Sequence, residues 1–421
     1  MVNTVQVPQT LANVDVAWAR AQFPALEMQQ DGKQVMFFDG AAGTQVPQRV
    51  IDAVVKYYKE SNANFQCSYL TGERSDAIIE DAHSALADFL GCDADEVIVG
   101  PNMTTLTFHL SRSILRELNK GDEVVISMLD HEANIAPWQS LEELGIVVRK
   151  IPIRVDNCTL DLDALKQIIN PKTKLVAVGY ASNAVGTIND INKITELAHS
   201  VGALVFIDAV HYAPHGPIDV RKINCDFLAC SPYKFFAPHL GMIYGKREHL
   251  TRLKPYKVRP ATEELPYRWE TGTQNHECLA GLVAGLDYLA ELGKRVNPNA
   301  NTRRQKIVSA MTAIKEYEKT LTEGVLNRLA KLPNIKVYGI QLGDTQNERT
   351  PTIACTMKGK TAGEVTGLLG ECGIFMTGGN CYALSLVEQL KLEETGLFRI
   401  AMVHYNTIDE IDRLIETLAK I

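Results

Sequence analysis

The sequence predicts an α/β protein: a mostly parallel sheet covered by helices on both faces, followed by a smaller α+β domain. Three observations predict it. Short apolar runs at 97–99, 123–127, 175–179 and 203–207 alternate with helical patterns at 106–118, 162–169 and 191–200; that alternation marks βαβ units and a parallel sheet. The inner run 203–207 ends in Asp208, and in an open α/β sheet the carboxyl ends of the strands face the ligand crevice. The chain has 421 residues, enough for one large and one smaller core.

The elements follow in order. Residues 14–20 form a short helix with Asn13 as its cap, and 35–38 form a strand entering the small-residue turn Asp39-Gly40-Ala41-Ala42-Gly43-Thr44. Pro47 opens a helix that runs to Glu60. The stretch 62–74 shows neither period. A helix over 75–90 stops at Gly91. The strand 97–99 leads through Gly100-Pro101-Asn102-Met103-Thr104-Thr105 into the helix 106–118. Strand, glycine turn and helix start make an anion site of free N–H groups and helix dipole. The strand 147–153 precedes the helix 162–169, and 276–292 is a long helix stopped by Gly293. Residues 294–304 read as a loop. Beyond it come a helix over 307–329, strands at 335–338 and 352–356, a helix over 361–369, strands ending at 376 and over 397–403, and a last helix capped by Thr407 and Glu410.

The formal charge is −7, with basic residues dispersed, which argues against a nucleic-acid partner. The start of the chain lacks the basic and apolar regions of a signal peptide, and no apolar stretch reaches the roughly 18 residues of a membrane span. Nine cysteines lie scattered without paired spacing. A reducing, cytoplasmic setting and no bound metal are therefore expected.

The chemistry centres on Lys234, which follows the apolar run 227–230 and lies among Tyr233, Phe235 and Phe236. Burial there disfavours a charged ammonium and makes the amine a better nucleophile; the residue alone also reads as a lysine reaching out from a strand end. Asp208 about two dozen residues earlier suits pyridoxal phosphate, with the lysine holding the cofactor and the acid pairing with its ring nitrogen.

The segment 205–241 resembles the core of the class V aminotransferase superfamily, and especially its cysteine desulfurase branch; further motifs extend the resemblance over nearly the whole chain. It implies the fold-type I architecture, with a seven-stranded large domain over 31–293, a small domain over 294–421 and an N-terminal segment, 1–30, packing on the latter. It also implies pyridoxal 5′-phosphate bound by Asn102, Met103, Thr104, Ser231, Tyr233 and Lys234. Asp130-His131-Glu132-Ala133-Asn134 with Pro137-Trp138 is similar to the segment whose histidine stacks on the cofactor ring, so His131 is expected to stack there and to move protons. Ser182-Asn183 with Gly186-Thr187 resembles the loop whose asparagine reaches the cofactor's phenolic oxygen. Arg268-Trp269-Glu270-Thr271-Gly272-Thr273 is similar to the segment whose threonine reaches the phosphate of a neighbouring subunit, implying a homodimer with shared sites. Ala41 and Ala42 are expected near the substrate carboxylate. Arg399, ahead of Tyr405-Asn406-Thr407, is expected to clamp it.

The chain departs from the desulfurase pattern in four places. Ala209-Val210-His211 stands where a glutamine ends the motif, Pro232-Tyr233 where glycine and histidine precede the lysine, Met376 where an arginine stands, and Gly379-Asn380 where two histidines precede the cysteine. His211 and Tyr233 keep a hydrogen-bond donor. Cys381 occupies the place of the cysteine that carries sulfur away from L-cysteine, while neighbouring Tyr382 resembles a desulfurase-like subgroup with an aromatic there. Two outcomes stand open: a desulfurase with a persulfide at Cys381, served by a sulfur-acceptor protein, or an aminotransferase, lyase or epimerase on a small amino acid in which Cys381 only lines the pocket.

Overall fold

Runs of β-branched and aromatic residues suit strands buried on both faces, and they form the sheet of the computed structural model, which describes residues 13–421. Its strands are β1 (Val97–Gly100), β2 (Glu123–Ser127), β3 (Val147–Ile151), β4 (Thr173–Gly179), β5 (Leu204–Asp208), β6 (Phe227–Cys230) and β7 (Gly241–Gly245). Their order across the sheet is β1-β7-β6-β5-β4-β2-β3. β5 and β4, β4 and β2, and β2 and β3 pair in parallel. β7 is antiparallel to both β6 and β1. Sequence reading did not include β7. The connection from β6 is too short for a parallel crossover, so the strand can only return antiparallel. A smaller four-stranded sheet follows: β8 (Ile335–Tyr338), β9 (Thr352–Met357), β10 (Thr377–Gly379) and β11 (Leu397–Ala401), in the order β8-β9-β11-β10 and antiparallel throughout.

Contacts gather the chain into two compact units. The first comprises the described residues up to Pro24, with Gln45–Glu117 and Gly216–Lys315. Its opening helix is Val16–Ala21, and the cap is Asp15, whose carboxylate accepts from Trp18 N at 3.0 Å, rather than Asn13. Residues 1–12 of the expected N-terminal segment lie outside the described residues. Helix α1 (Leu70–Leu90) begins five residues before the expected start. Its first turn exposes Leu70, so no apolar stripe announces it. Helix α2 (Met103–Leu115) begins three residues early because Asn102 caps it, accepting from Thr105 N at 2.8 Å. Helix α3 (His276–Val296) runs through Gly293 instead of stopping there. A Cβ at Gly293 would lie 1.7 Å from the Lys306 carbonyl oxygen; the glycine serves a close approach by α4 (Arg303–Leu329), whose start falls inside the expected loop.

The second unit comprises Ala25–Thr44, Leu118–His215 and Glu316–Ile421. Pro152 divides the expected strand 147–153 into β3 and the short Ile153–Arg154, since proline supplies no ladder donor. The first strand expected from the sequence, Met36–Phe37, pairs in parallel with Ile374–Phe375. Met36 and Phe38 enter a core with Leu321 and Val325 of α4, Ile353 of β9 and Phe398 of β11. Helix α5 (Ile408–Leu418) adds Ile411 and Leu414 and carries the expected capping box of Thr407 and Glu410.

Candidate active site

In the first unit, β6 ends at Cys230 and the chain turns through a single 3₁₀ turn, Pro232–Lys234, after Ser231. Proline starts this turn and Lys234 closes it, its N–H donating to the Ser231 carbonyl at 3.0 Å. Lys234 is 8% exposed. Its ammonium lies 4.9 Å from the Tyr233 ring centre, and that ring stacks on His239 at 4.8 Å. Phe235 stacks on Phe89 and Phe236 takes a left-handed φ of +70°, which turns the chain back beside the lysine. Aromatic packing thus holds the turn.

At the start of α2 the N–H groups of Met103 and Thr104 have no intrahelical acceptor. Met103 is buried and Thr104 exposed. Gly241 sits against this turn: a Cβ there would lie 2.1 Å from the Asn102 carbonyl carbon. Gly241 is opposite Gly100, and its neighbour Met242 is opposite Cys230. The anion turn and the lysine turn therefore lie at the same end of β1, β7 and β6. Thr273 is exposed in the loop before α3. Its motif partners have structural work. The Glu270 carboxylate accepts from Val99 N and pairs with His83, each at 2.8 Å, and Arg268 donates to the carbonyls of Thr251 and Leu253. Glu270 as a brace was missed in the sequence, because its partners lie in α1 and β1.

In the second unit, Arg399 lies on the central strand β11, between Ala354 of β9 and Thr377 of β10. It is 5% exposed. Its guanidinium donates to the Asn183 carbonyl at 2.6 Å and to the Thr377 hydroxyl at 2.7 Å, while Nε is buried with no hydrogen-bond partner. Burial lowers its pKa, opposed by the charges of Cys381 and Asp39. Gly40 N donates to Ala401 O at 3.1 Å, which sets the Ala41 turn beside β11, with Ala41 buried and Ala42 exposed.

Asn183 donates its amide to the Cys381 carbonyl at 2.7 Å, and its own Oδ1 is buried without a partner. Cys381 and Tyr382 have φ of +56° and +54°, and Ala383 N closes the turn onto Asn380 O at 2.9 Å. This is a type I′ turn made without glycine, at a cost of about 1–2 kcal/mol per left-handed residue. The Cys381 sulfur lies 3.8 Å from Gly379 O and 3.9 Å from Leu397 O. Burial pushes its thiol pKa up, and Arg399 only partly opposes this.

His131 stacks on the Tyr382 ring at 5.2 Å and 16°. Its Nδ1 accepts from Ala133 N at 3.0 Å. Asp208 is buried at the end of β5 and accepts from Val210 N at 2.9 Å. His211 Nε2 lies 3.2 Å from the Thr350 hydroxyl. The structure thus gathers Arg399, Asn183, Cys381 and, through Tyr382, His131. Sequence reading missed Thr377 and Asp130. Asp130 is buried and accepts from Ser127 and Asn134, each at 2.7 Å; Asn134 in turn receives Trp138 Nε1 at 3.0 Å. Burial, with Asp208 adding repulsion, pushes the Asp130 pKa up to about 7.

A family model for class-V aminotransferases matches residues 36–414. The chain belongs to this family. Its cofactor is pyridoxal 5′-phosphate and its architecture is fold type I, with the large, mostly parallel sheet and the smaller α+β region described above. The aminotransferase-like protein FGM3 of Gibberella zeae is 32% identical over 412 residues, covering 95% of this chain and 96% of that protein. A probable cysteine desulfurase of Halobacterium salinarum is 31% identical over 419 residues, covering 96% and 95%. The solved cysteine desulfurase CsdA of Escherichia coli, in its S-sulfonic acid form, superposes with a TM-score of 0.82 at 26% identity, covering 96% of this chain and 98% of that one.

Each unit by itself offers groups of the kind the cofactor takes. In the first, Lys234 is a buried amine in an aromatic turn and α2 offers first-turn N–H groups. In the second, Asp208 is a buried acid at a strand end. The partnerless Nε of Arg399 and Oδ1 of Asn183 are built to meet a polar guest.

Proposed function

We propose that this chain is a cysteine desulfurase: it acts on L-cysteine, releases L-alanine and leaves the sulfur as a persulfide on Cys381. The observation that carries the reading is the joining of Arg399, Asn183 and Cys381 by hydrogen bonds of 2.6 and 2.7 Å within one unit. The desulfurases among its relatives support it. Lys234 holds the cofactor, Asp208 pairs with its ring nitrogen, and Asn102, Met103, Thr104, Ser231 and Tyr233 bind its phosphate. When bound, the cofactor accepts electron density from the substrate α-carbon. Arg399 clamps the α-carboxylate beside Ala41 and Ala42, using the N–H groups that Asn183 and Thr377 leave open. Lys234 removes and returns the α-proton, and His131 passes protons at Nε2. The Cys381 thiolate attacks the substrate sulfur; the substrate C–S bond breaks, its electrons stay with carbon, and protonation there gives alanine. A thiol acceptor then takes the sulfur, which makes an acceptor protein a natural partner. We also propose a homodimer, with Thr273 reaching the neighbouring site. Exposed Ile51, Val55, Tyr58, Tyr69 and Leu70 suit such an interface.

One observation favours a second reading. The Cys381 sulfur faces two carbonyl oxygens and its pKa is raised, which holds it as a thiol at neutral pH. In that reading Cys381 lines the pocket of a lyase or aminotransferase. Sulfide and alanine release from L-cysteine with a reductant decides between them. Activity that vanishes in Cys381→Ala while the cofactor absorbance stays supports the desulfurase. Equal activity in both proteins contradicts the carrier role, and no turnover in either removes L-cysteine as the substrate.

A further inference from the structure

Tyr382 presents a paradox of packing. Its side chain belongs to a residue that is 69% exposed, so burial gives little reason to hold it anywhere. Yet the backbone adopts two consecutive left-handed residues there, and hydrogen bonds hold its main chain. Tyr382 N donates to Asn380 Oδ1 at 3.0 Å, and Glu132 N donates to Tyr382 O at 2.8 Å. The Cys381 carbonyl is held by Asn183. At Tyr382 this arrangement delivers a ring contact: the phenol ring lies nearly parallel over the His131 imidazole, centres 5.2 Å apart. At the imidazole itself, Ala133 N–H donates to Nδ1, which leaves the proton of the neutral ring on Nε2.

From this we propose that Tyr382 is a positioning residue for His131: the strained turn exists to lay an aromatic plate on one face of the imidazole and fix its plane, leaving the opposite face for the cofactor ring. This rests on the reading of His131 given under the proposed function. Left-handed backbone at a residue as exposed as Tyr382 is the pattern of a functional constraint. An aromatic pair with this offset geometry has a preferred plane that an aliphatic side chain lacks. The arrangement also ties the carrier candidate to the proton-transfer residue, since Cys381 and Tyr382 are the two central residues of one turn.

The test uses holoenzyme labelled with ¹³C at the histidine Cε1 positions, with the His131 signal assigned by its loss in His131→Gln. In Tyr382→Ala the His131 signal is expected to shift as the ring current disappears. The visible circular dichroism of the bound cofactor should change with it, and kcat on L-cysteine should fall roughly threefold to tenfold with KM little changed. Tyr382→Phe, which keeps the ring and drops the hydroxyl, should restore the signal and the dichroism; a merely structural role for the turn would not separate the two variants this way. An unmoved His131 signal in Tyr382→Ala would overturn the proposal. So would a moved signal with dichroism and kcat equal to wild type. If His131→Gln itself leaves the cofactor dichroism unchanged, the underlying reading of His131 fails, and the proposal with it.

Discussion

The turn that carries Lys234 and the turn that carries Cys381 are built by opposite means. The first is packed: Ser231, Lys234, Phe235 and Phe236 are buried and the neighbouring rings stack. The second is tied: Cys381 is half-buried, Tyr382 is exposed, and Asn183, Asn380 and Glu132 hold the backbone through hydrogen bonds. In the proposed function, a lysine that holds a cofactor gains from a rigid apolar setting. A thiol that approaches a substrate and then a sulfur acceptor gains from a turn whose restraints can be released one at a time. On that proposal the difference teaches that reactivity at Lys234 comes from burial, and reactivity at Cys381 from release.

The largest effect expected on this contrast comes from Lys234→Ala. Turnover should fall by about 10³-fold or more, since the nucleophile and proton carrier are one group. The far-ultraviolet spectrum should stay native, as read by activity assay and circular dichroism. Next comes Gly241→Ala. Its Cβ would meet the Asn102 carbonyl carbon at 2.1 Å, so the anion turn must move, and cofactor affinity should drop about tenfold or more in a fluorescence titration. On the tied side, Arg399→Lys keeps the charge but loses the fork shared by Asn183 and Thr377. It should lower kcat/KM by about 10–100-fold, mostly through KM.

The smallest effect is a pH dependence. Asp130 holds its proton up to about pH 7 in the fold, against about 3.9 in an unfolded chain. The folded pKa is raised, so the stability this group contributes is full below about pH 4 and is lost as pH rises toward 7. The stability of Asp130→Asn relative to wild type should therefore rise between pH 5 and pH 8. Thermal melts across that range check the sign; a flat difference would mean the carboxyl is ionised throughout.

Much of this was legible in the sequence because it is local. Asp208 closes an apolar strand, Asn102 caps a helix after a glycine turn, and Thr407 with Glu410 makes a capping box. The parts that were not legible depend on partners distant along the chain. Gly293 reads as a helix stop until the carbonyl of Lys306 is seen against it. Glu270 reads as one letter of a motif until its partners in α1 and β1 appear. The pairing of His131 with Tyr382 has no local signal, since it joins two loops on different strands' ends. Residue types announce chemistry; which side chains share a site is set by packing that no periodicity records.

The proposed function turns on whether Cys381 takes the sulfur. Holoenzyme is mixed with L-cysteine without reductant, quenched with a thiol-blocking alkylator and digested, and the peptide containing Cys381 is weighed. One added sulfur atom is expected on Cys381, formed alongside alanine and absent when L-cysteine is replaced by L-alanine. Alanine and sulfide released with Cys381 unmodified throughout would contradict it.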